Sequence, residues 1–152
     1  MQVKNIMSRA VKTVTPQTRI AEVVSLMCLY RYSGLPVVED DRLVGFIAEK
    51  DVLTRLLPNV EELMGSMNTI DFNALVHDYS DLTKQQVSEI MTRNVSTVSP
   101  VMHILKAAAV MAGKRFRRIP VAEGDRLVGM LSLGDVHKAI FHANIAGSLG
   151  VE

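Results

Sequence analysis

The chain has 152 residues, 48% of them hydrophobic and 22% charged, so it can bury a core without disulfides or a structural metal. Lysine and arginine total 17 against 16 aspartates and glutamates, and this formal charge of +1 argues against a dedicated nucleic-acid binder. The single cysteine, Cys28, excludes an intramolecular disulfide and a cysteine-based zinc site, and it is typical of a reducing compartment.

The first elements in chain order are a short strand and a helix. Residues 11–14 are rich in β-branched side chains and stop before Pro16, which predicts a strand. Thr18 is a helix-capping residue type, and apolar residues at helical spacing follow it, which predicts a helix over 19–30. Cys28 falls on this apolar stripe, so we expect a buried structural thiol.

A hairpin and a second helix follow. Residues 35–38 and 43–47 are apolar and flank the polar stretch 39–42, a pattern typical of a β-hairpin with an acidic turn. A helix is predicted over 49–57, because Pro58 ends it. The predicted unit therefore has the order β-α-β-β-α.

The rest of the chain repeats this order after an insertion. Residues 59–86 have no counterpart in the first unit, and their apolar residues predict short helices between the breakers Gly65, Asn68 and Asp71. The second unit is predicted as strand 95–98, helix 103–113, strands 119–122 and 127–132, and helix 133–143. Residues 146–152 are expected to be a flexible tail.

The repetition is visible residue by residue. Residues 3–52 align with residues 87–136 without a gap, and 21 of these 50 positions are identical. The phrase Pro-Val-x-Glu-x-Asp-Arg-Leu-Val-Gly occurs in both copies, and an Asp-Val pair closes each. Chance similarity between amphipathic segments does not explain such identity, so we interpret the chain as a duplication. Each half is small for an independent core, and we expect the halves to pack with pseudo-two-fold symmetry.

Short phrases in a fixed order carry a family resemblance. In the second copy they are Val87-x-x-Ile-Met-Thr, Thr97-Val98-x-Pro100, Arg117-Arg118-Ile119-Pro120-Val121 and Leu127-Val128-Gly129-Met130-Leu131-Ser132-x-x-Asp135-Val136, and the first copy offers their counterparts. A duplicated unit with these phrases resembles the cystathionine-β-synthase (CBS) domain, and two in tandem resemble a CBS pair, or Bateman module. We therefore predict an α+β fold of two pseudo-symmetric repeats packed as one module. The predicted domains are repeats 1–58 and 87–145, a helical linker 59–86 and the tail 146–152.

The start of the last helix carries two polar side chains, Ser132 and Asp135. One interpretation is a capping box, in which both side chains bind backbone N–H groups. The other is a nucleotide site, because a helix N-terminus attracts phosphate and a carboxylate can accept hydrogen bonds from a ribose diol. Both interpretations use the same geometry, and both stay open at this point.

A basic cluster lies upstream of that helix. Lys114, Arg115, Arg117 and Arg118 place four positive charges within five residues. Arginine can hold a phosphate through two parallel hydrogen bonds, which favours a phosphate contact. One alternative is a solvated basic turn. The other is a nucleic-acid contact through Phe116, but the balanced overall charge argues against nucleic-acid binding.

The resemblance implies two nucleotide sites in a cleft between the repeats, each drawing on both. Site one would consist of Ser132, Asp135, Arg118, Met7, Ser8, Tyr32, Ser33 and Gly34. Site two would consist of Asp51, Lys50, Thr92, Asn94 and Arg117. In site two Ala48 replaces the hydroxyl and Glu49 adds a negative charge. A lost hydrogen bond to a charged group costs about 1.5–3 kcal/mol, so we expect site two to be weak or empty.

Other chemistry has no candidate residues. The four histidines, His77, His103, His137 and His142, are too scattered for a zinc signature, so we expect surface or hydrogen-bonded roles. The sequence contains neither a phosphate-binding Gly-x-x-x-x-Gly-Lys loop nor a Gly-x-Ser-x-Gly elbow. We expect no enzyme activity, no metal and no required cofactor. No apolar run approaches the roughly 20 residues of a membrane helix, so we expect a cytoplasmic protein without a membrane partner.

The leading hypothesis is a stand-alone regulatory module that binds an adenine nucleotide and signals to an unidentified protein by conformational change. The resemblance implies AMP, ADP, ATP, NAD or S-adenosylmethionine as the ligand. The alternative is a structural dimerisation or scaffold module with an empty cleft. CBS pairs commonly form disc-like dimers through their helices, so the apolar faces at residues 20–27 and 104–111 predict a homodimer.

Overall fold

The structure is a computed structural model in which residues 1–57, 64–65 and 67–148 are described. It combines α-helices with antiparallel strand pairing, so the predicted α+β class is confirmed. The chain divides into two compact units. The first unit contains residues 1–11, residues 41–43 and the described residues from 96 onward. The second unit contains residues 12–40 and the described residues of 44–95.

The elements of the two repeats match the predicted hairpins and helices closely, and every predicted start lies within one residue of the observed start. The helices are α1 (Ile20–Tyr30), α2 (Glu49–Leu56), α3 (Phe72–His77), α4 (Tyr79–Leu82), α5 (Ile104–Lys114) and α6 (Leu133–Ser148). The strands are β1 (Gly34–Glu39), β2 (Arg42–Ala48), β3 (Arg118–Glu123) and β4 (Arg126–Ser132). Short 3₁₀ turns lie at Val3–Asn5, Met67–Thr69 and Val87–Glu89. None of the described helices is both long and apolar enough to cross a bilayer.

The core of the second unit forms between α1 and the hairpin of β1 and β2. Helix α1 is amphipathic, and its buried stripe is Ile20, Val23 and Met27. The stripe belongs to one apolar cluster with strand residues that include Leu35, Val37 and Ile47. At the hairpin turn Asp40 and Asp41 have φ values of 52° and 66°, as a two-residue hairpin turn of the primed type requires.

The core of the first unit is built in the same way around β3, β4 and α5. The two strands pair antiparallel from Arg118 opposite Ser132 to Glu123 opposite Arg126. Helix α5 buries Ile104, Ala107 and Met111 against this hairpin. Val3, from the beginning of the chain, is fully buried in the same cluster.

Each compact unit is completed by the segment that precedes the other repeat in the sequence. In the first unit the Val3 N–H donates to the Met102 carbonyl (2.9 Å). In the second unit the Val87 N–H donates to the Thr18 carbonyl (2.9 Å), and the Val87 side chain is fully buried. The leading segment of each repeat therefore belongs to the compact unit that contains the rest of the other repeat. The predicted boundaries 1–58 and 87–145 describe the duplicated sequence and differ from the bounds of the compact units.

The predicted strands 11–14 and 95–98 are wrong as strands, because each is reduced to an isolated bridge. Val14 pairs in parallel with Val37, and Val98 pairs in parallel with Val121. Pairing does not continue beyond Val14, because Thr15 turns the chain by donating its N–H to the Thr18 hydroxyl (3.0 Å).

The predicted cap of α1 is also wrong. Its N-cap residue is Arg19, and the hydroxyl of Thr18 is occupied by the Thr15 N–H. The helix N-terminus is instead satisfied by backbone of the insertion, since the Ile20 N–H donates to the Gln85 carbonyl (2.9 Å). This tertiary contact replaces the local side-chain cap.

Cys28 is exposed, so the expectation of a buried thiol is wrong. It lies one residue after Met27, which rotates it about 100° away from the buried stripe of α1. The neighbouring phenol of Tyr79 has a raised pKa because burial disfavours its charged form, and the charge of Cys28 adds a smaller effect in the same direction.

The insertion contains short helices, as predicted for its described part. Asp71, expected as a breaker, caps α3 by accepting the Ala74 N–H at Oδ1 (3.2 Å). Leu82 of α4 is buried in the core of the second unit. Residues 58–63 and 66, including the predicted helix stop Pro58, lie outside the described residues.

The last helix is longer than predicted. Helix α6 continues past residue 143 to Ser148, so residues 146–148 of the expected tail are helical. The remaining tail residues, 149–152, lie outside the described residues.

Candidate functional site

Ser132 and Asp135 form a capping box at the start of α6. The Ser132 N–H donates to Asp135 Oδ2 (2.9 Å), and the Asp135 N–H donates to Ser132 Oγ (3.0 Å). Both side chains are half-buried. The structural interpretation of this pair is therefore confirmed. It leaves the hydroxyl proton of Ser132 and the Oδ1 atom of Asp135 for other partners.

Arg118 lies next to this capping box. It is directly opposite Ser132 in the antiparallel pair β3–β4, so the two side chains project from the same face of the hairpin. The Leu133 N–H donates to the carbonyl of Arg117 (2.9 Å). Among the described residues no acceptor is found for the next helix N–H, that of Gly134. Arg118, the Ser132 hydroxyl and the Gly134 N–H therefore lie at the same end of the β3–β4 hairpin, where α6 begins.

Met7 and Ser8 lie on the other side of β4. The Ser8 N–H donates to the Met130 carbonyl (2.8 Å), and the Met130 N–H donates to the Ser8 carbonyl (2.9 Å). The segment approaches so closely that a Cβ on Gly129 would be 2.8 Å from both Met7 Sδ and Ser8 O. Glycine at 129 is therefore required by this contact. We call Met7, Ser8, Arg118, Ser132 and Asp135 the first-unit cluster.

The second unit contains the counterpart cluster at the start of α2. The Ala48 N–H donates to Asp51 Oδ2 (2.8 Å), but Ala48 has no hydroxyl to accept the Asp51 N–H in return. Thr92 pairs with Phe46 through two 2.9 Å backbone hydrogen bonds, as Ser8 pairs with Met130. The Thr92 hydroxyl lies 3.5 Å from Asp51 Oδ1, at the outer limit of a hydrogen bond.

Phe46 occupies the space where a side chain at position 34 would begin. A Cβ on Gly34 would overlap Phe46 Cε1 and would be 2.8 Å from Phe46 Cζ. In the repeat alignment Gly34 corresponds to Arg118, and Phe46 corresponds to Met130. We call Gly34, Phe46, Ala48, Asp51 and Thr92 the second-unit cluster.

The role of Phe46 was not predicted from the sequence. The available indication was a coupled pair of differences between otherwise matching copies, glycine for arginine and phenylalanine for methionine. Alignment alone does not show that the two positions touch, so this indication becomes interpretable only with the structure.

The remaining predicted site residues are distributed over both units. Tyr32 and Ser33 belong to the second unit with Gly34, whereas Arg117 belongs to the first. Lys50 and Asn94 are exposed in the second unit, near Asp51 and Thr92 in sequence. The grouping of these residues into sites that draw on both repeats stays a prediction.

The basic turn after α5 is largely exposed. Arg115 ends the helix in a left-handed conformation (φ 59°), and Lys114, Phe116 and Arg117 are exposed, whereas Arg118 is half-buried. The half-buried arginine is therefore the member of the turn that lies in the first-unit cluster.

Metal-binding chemistry finds no support in the described part of the chain. No group of three or more histidine, cysteine, aspartate or glutamate side chains there could hold a metal ion. His103 has a structural role, because its Nδ1 accepts the Leu105 N–H (3.1 Å) at the start of α5.

Comparison with known proteins identifies the duplicated unit. The CBS domain family model matches residues 3–58 and residues 87–142. The chain belongs to the CBS domain family. The two matches make it a tandem CBS pair, so the helix starts at Ser132 and Ala48 described above lie at equivalent positions of two CBS repeats.

Two similar CBS proteins match over most of their length. The CBS domain-containing protein YhcV of Bacillus subtilis is 28% identical over 134 residues, which covers 88% of this chain and 81% of YhcV. The crystal structure of CBSX2 from Arabidopsis thaliana in complex with AMP has a TM-score of 0.72 and 25% identity. That match covers 94% of this chain and 98% of the CBSX2 chain.

An enzyme is also similar, but only over a small part of its length. The inosine-5'-monophosphate dehydrogenase of Methanocaldococcus jannaschii is 28% identical over 135 residues. This covers 88% of the present chain and 22% of the enzyme. The similarity is therefore confined to a minor part of the dehydrogenase.

Proposed function

We propose that this CBS pair is a stand-alone regulatory module that binds an adenine nucleotide at its first-unit cluster. The observation that carries the proposal is the position of Arg118 directly opposite Ser132, with Asp135 in the same capping box. The AMP complex of the similar CBSX2 supports an adenine nucleotide as the ligand class. AMP, ADP, ATP, NAD and S-adenosylmethionine are the candidates, and AMP is the first to test.

The first-unit cluster offers distinct groups to the two ends of a nucleotide. The Arg118 guanidinium, the Ser132 hydroxyl and the Gly134 N–H are donors, and donors beside a helix N-terminus stabilise a phosphate. Asp135 accepts one backbone hydrogen bond at Oδ2, so Oδ1 can accept from a ribose hydroxyl. The proposed orientation therefore has phosphate towards Arg118 and ribose towards Asp135.

We propose a regulatory role for the module, because the described groups of the first-unit cluster are hydrogen-bond donors and acceptors suited to holding a ligand. The match to YhcV over 81% of its length supports a protein that consists of the CBS pair itself. We propose that the module is cytoplasmic and that nucleotide binding alters its affinity for a protein partner.

A thermal-shift titration tests the proposal directly. Nucleotide at 100 times its dissociation constant stabilises a protein by about 2.7 kcal/mol. For a chain of this size that corresponds to a rise of roughly 5–10 °C in Tm. AMP is compared with sodium phosphate at equal ionic strength, which controls for nonspecific anion effects. Failure of every candidate ligand to raise Tm would contradict a nucleotide-binding module.

A scaffold function is the second candidate, favoured by the second-unit cluster. Ala48 and Gly34 supply neither the hydroxyl nor the guanidinium that the first-unit cluster has. If the module is a scaffold that binds no nucleotide at either cluster, its Tm should not change when a nucleotide is added. The thermal-shift titration therefore distinguishes the two functions.

We also propose that the module forms a homodimer through exposed helix faces. Most of each predicted stripe is core, since Ile20, Val23, Met27, Ile104, Ala107 and Met111 are buried, whereas Val24 and Ala108 are only partly buried. Exposed apolar side chains also lie on α6, where Phe141 is 54% exposed and Ile140 is 39% exposed. Light scattering at micromolar concentration tests this, and a monomer mass would contradict it.

A further inference from the structure

The two clusters differ at a contact that determines whether an arginine can be accommodated. In the first unit position 118 carries an arginine side chain opposite Ser132. In the second unit the corresponding residue, Gly34, is buried, and the ring of Phe46 fills the space above it. A Cβ at position 34 would approach Phe46 Cε1 more closely than real Cβ atoms approach other atoms. Any larger side chain at 34 therefore requires the ring to move.

Backbone pairing restricts how far Phe46 can move. Its N–H donates to the Thr92 carbonyl, and the Thr92 N–H donates to the Phe46 carbonyl, both at 2.9 Å. These two bonds fix the backbone of Phe46 against the Thr92 segment, so only rotation of the side chain could clear position 34. The small residue at 34 and the large residue at 46 form a matched pair.

The charges around the second-unit cluster do not replace the missing guanidinium. Glu49 and Lys50 stand where the first unit has Leu133 and Gly134, and both are exposed. Their opposite charges offset each other. Asp51 remains as an acceptor, whereas the hydroxyl donor is absent at Ala48.

We infer that Gly34 and Phe46 are specificity-determining residues that close the second-unit cluster to nucleoside phosphates. Because residue 34 is a glycine and the Phe46 ring fills the space beside it, the second-unit cluster has a carboxylate for ribose but no guanidinium for phosphate. This CBS pair consequently binds one AMP per chain, at the first-unit cluster. The inference rests on the proposed function, since it assumes that Arg118 and Ser132 hold the phosphate.

Transplanting the first-unit residues into the second unit tests the inference. The triple variant Gly34→Arg, Phe46→Met, Ala48→Ser gives the second-unit cluster the side chains found at 118, 130 and 132. Calorimetric titration with AMP is expected to give one site per chain for the parent and two for the triple variant. The matched control Gly34→Arg, Ala48→Ser retains Phe46 and is expected to stay at one site. Adding Asp51→Ala to the triple variant is expected to return it to one site.

The outcomes separate the inference from the proposed function. A parent that binds no AMP overturns the proposed function and the inference with it. If the parent and the folded triple variant each bind one AMP, the inference is overturned but the proposed function stands. A parent that binds two AMP molecules has the same consequence. A control that gains the second site with Phe46 present shows that Phe46 excludes nothing. Where the triple variant does not fold, Phe46→Ala replaces Phe46→Met and leaves the arginine the whole volume of the ring.

Discussion

The two clusters of this CBS pair share a backbone arrangement but not their side chains. In each, a helix follows a strand, and a neighbouring segment pairs with that strand. An aspartate three residues after the last strand residue accepts the backbone N–H of that residue, at 2.9 Å in the first unit and 2.8 Å in the second. The first-unit cluster adds Arg118 and Ser132, whereas the second-unit cluster has Gly34 and Ala48. The two copies therefore share the framework, whereas only one of them carries the arginine and the serine.

The comparison shows which shared features the framework itself needs. Gly45 and Gly129 occupy equivalent positions, and a leading segment passes close to each of them. A Cβ on Gly45 would be 2.6 Å from Met91 Sδ, as a Cβ on Gly129 would be 2.8 Å from Met7 Sδ. Asp51 and Asp135 each satisfy a backbone N–H without any ligand. These residues are retained for the fold in both copies, so retention of the aspartate alone does not indicate a competent site.

Replacing the two aspartates tests the asymmetry with the largest expected effect. Asp135→Ala should weaken AMP binding by roughly 100-fold or more, because it removes the charged acceptor to which the ribose donates. Asp51→Ala should change AMP affinity little. Calorimetry on both variants and the parent measures this, with urea unfolding as the control for the lost backbone contact. Equal losses, or two equal sites in the parent, would contradict the asymmetry.

Arg118→Ala sharpens the comparison by separating phosphate from ribose. The variant should weaken AMP by roughly 10- to 150-fold, because a charge-assisted contact is worth about 1.5–3 kcal/mol. Adenosine, which lacks the phosphate, should bind nearly as it does to the parent. Titration of both ligands measures the difference, and Asp135→Ala serves as the control because it should weaken both alike. Equal losses of AMP and adenosine in Arg118→Ala would refute the phosphate assignment.

Much of this comparison could be predicted from the sequence, because the duplication is ungapped. The hairpins and helices of both repeats, the Ser132–Asp135 pair and the missing hydroxyl at Ala48 all follow from local patterns. These features depend on residues close together in the chain, whose spacing determines their geometry. Met7 and Ser8, by contrast, are assigned to site one only because the family resemblance implies it.

The errors concern features that distant segments determine. Thr18 is a good local cap, yet the Gln85 carbonyl of the insertion satisfies the helix N-terminus instead. Cys28 is adjacent in sequence to Met27 of the buried stripe, but the turn of the helix directs it to a different, exposed face. Which face of α1 is buried depends on packing against distant strands. The contact of Phe46 with Gly34 joins residues twelve positions apart on two strands, so no local spacing rule reveals it.

A stability cycle on Gly34 and Phe46 tests the packing difference without any ligand. Gly34→Ala should lower the free energy of unfolding by about 1–3 kcal/mol, because the added methyl group overlaps the Phe46 ring. In a Phe46→Leu background the same change should cost much less, since the ring atoms are gone. Urea denaturation of the four proteins measures the coupling. Gly113→Ala is the matched control, because a Cβ there meets no atom within 4 Å. If the effects of Gly34→Ala and Phe46→Leu on the free energy of unfolding are additive, the two residues are not in contact.

The smallest expected effect concerns the helix caps. Ser132→Ala should lower the free energy of unfolding by about 0.5–2 kcal/mol, because the Asp135 N–H loses its acceptor. Ala48→Ser should raise it by a similar amount, since Ala48 already has the extended backbone of an N-cap (φ −114°, ψ 160°) and a serine there can accept the Asp51 N–H. Urea denaturation without nucleotide measures both changes. If Ala48→Ser is neutral while Ser132→Ala is costly, the two helix starts differ in more than the hydroxyl, and restoring it at position 48 would not be enough to rebuild the first-unit geometry in the second unit.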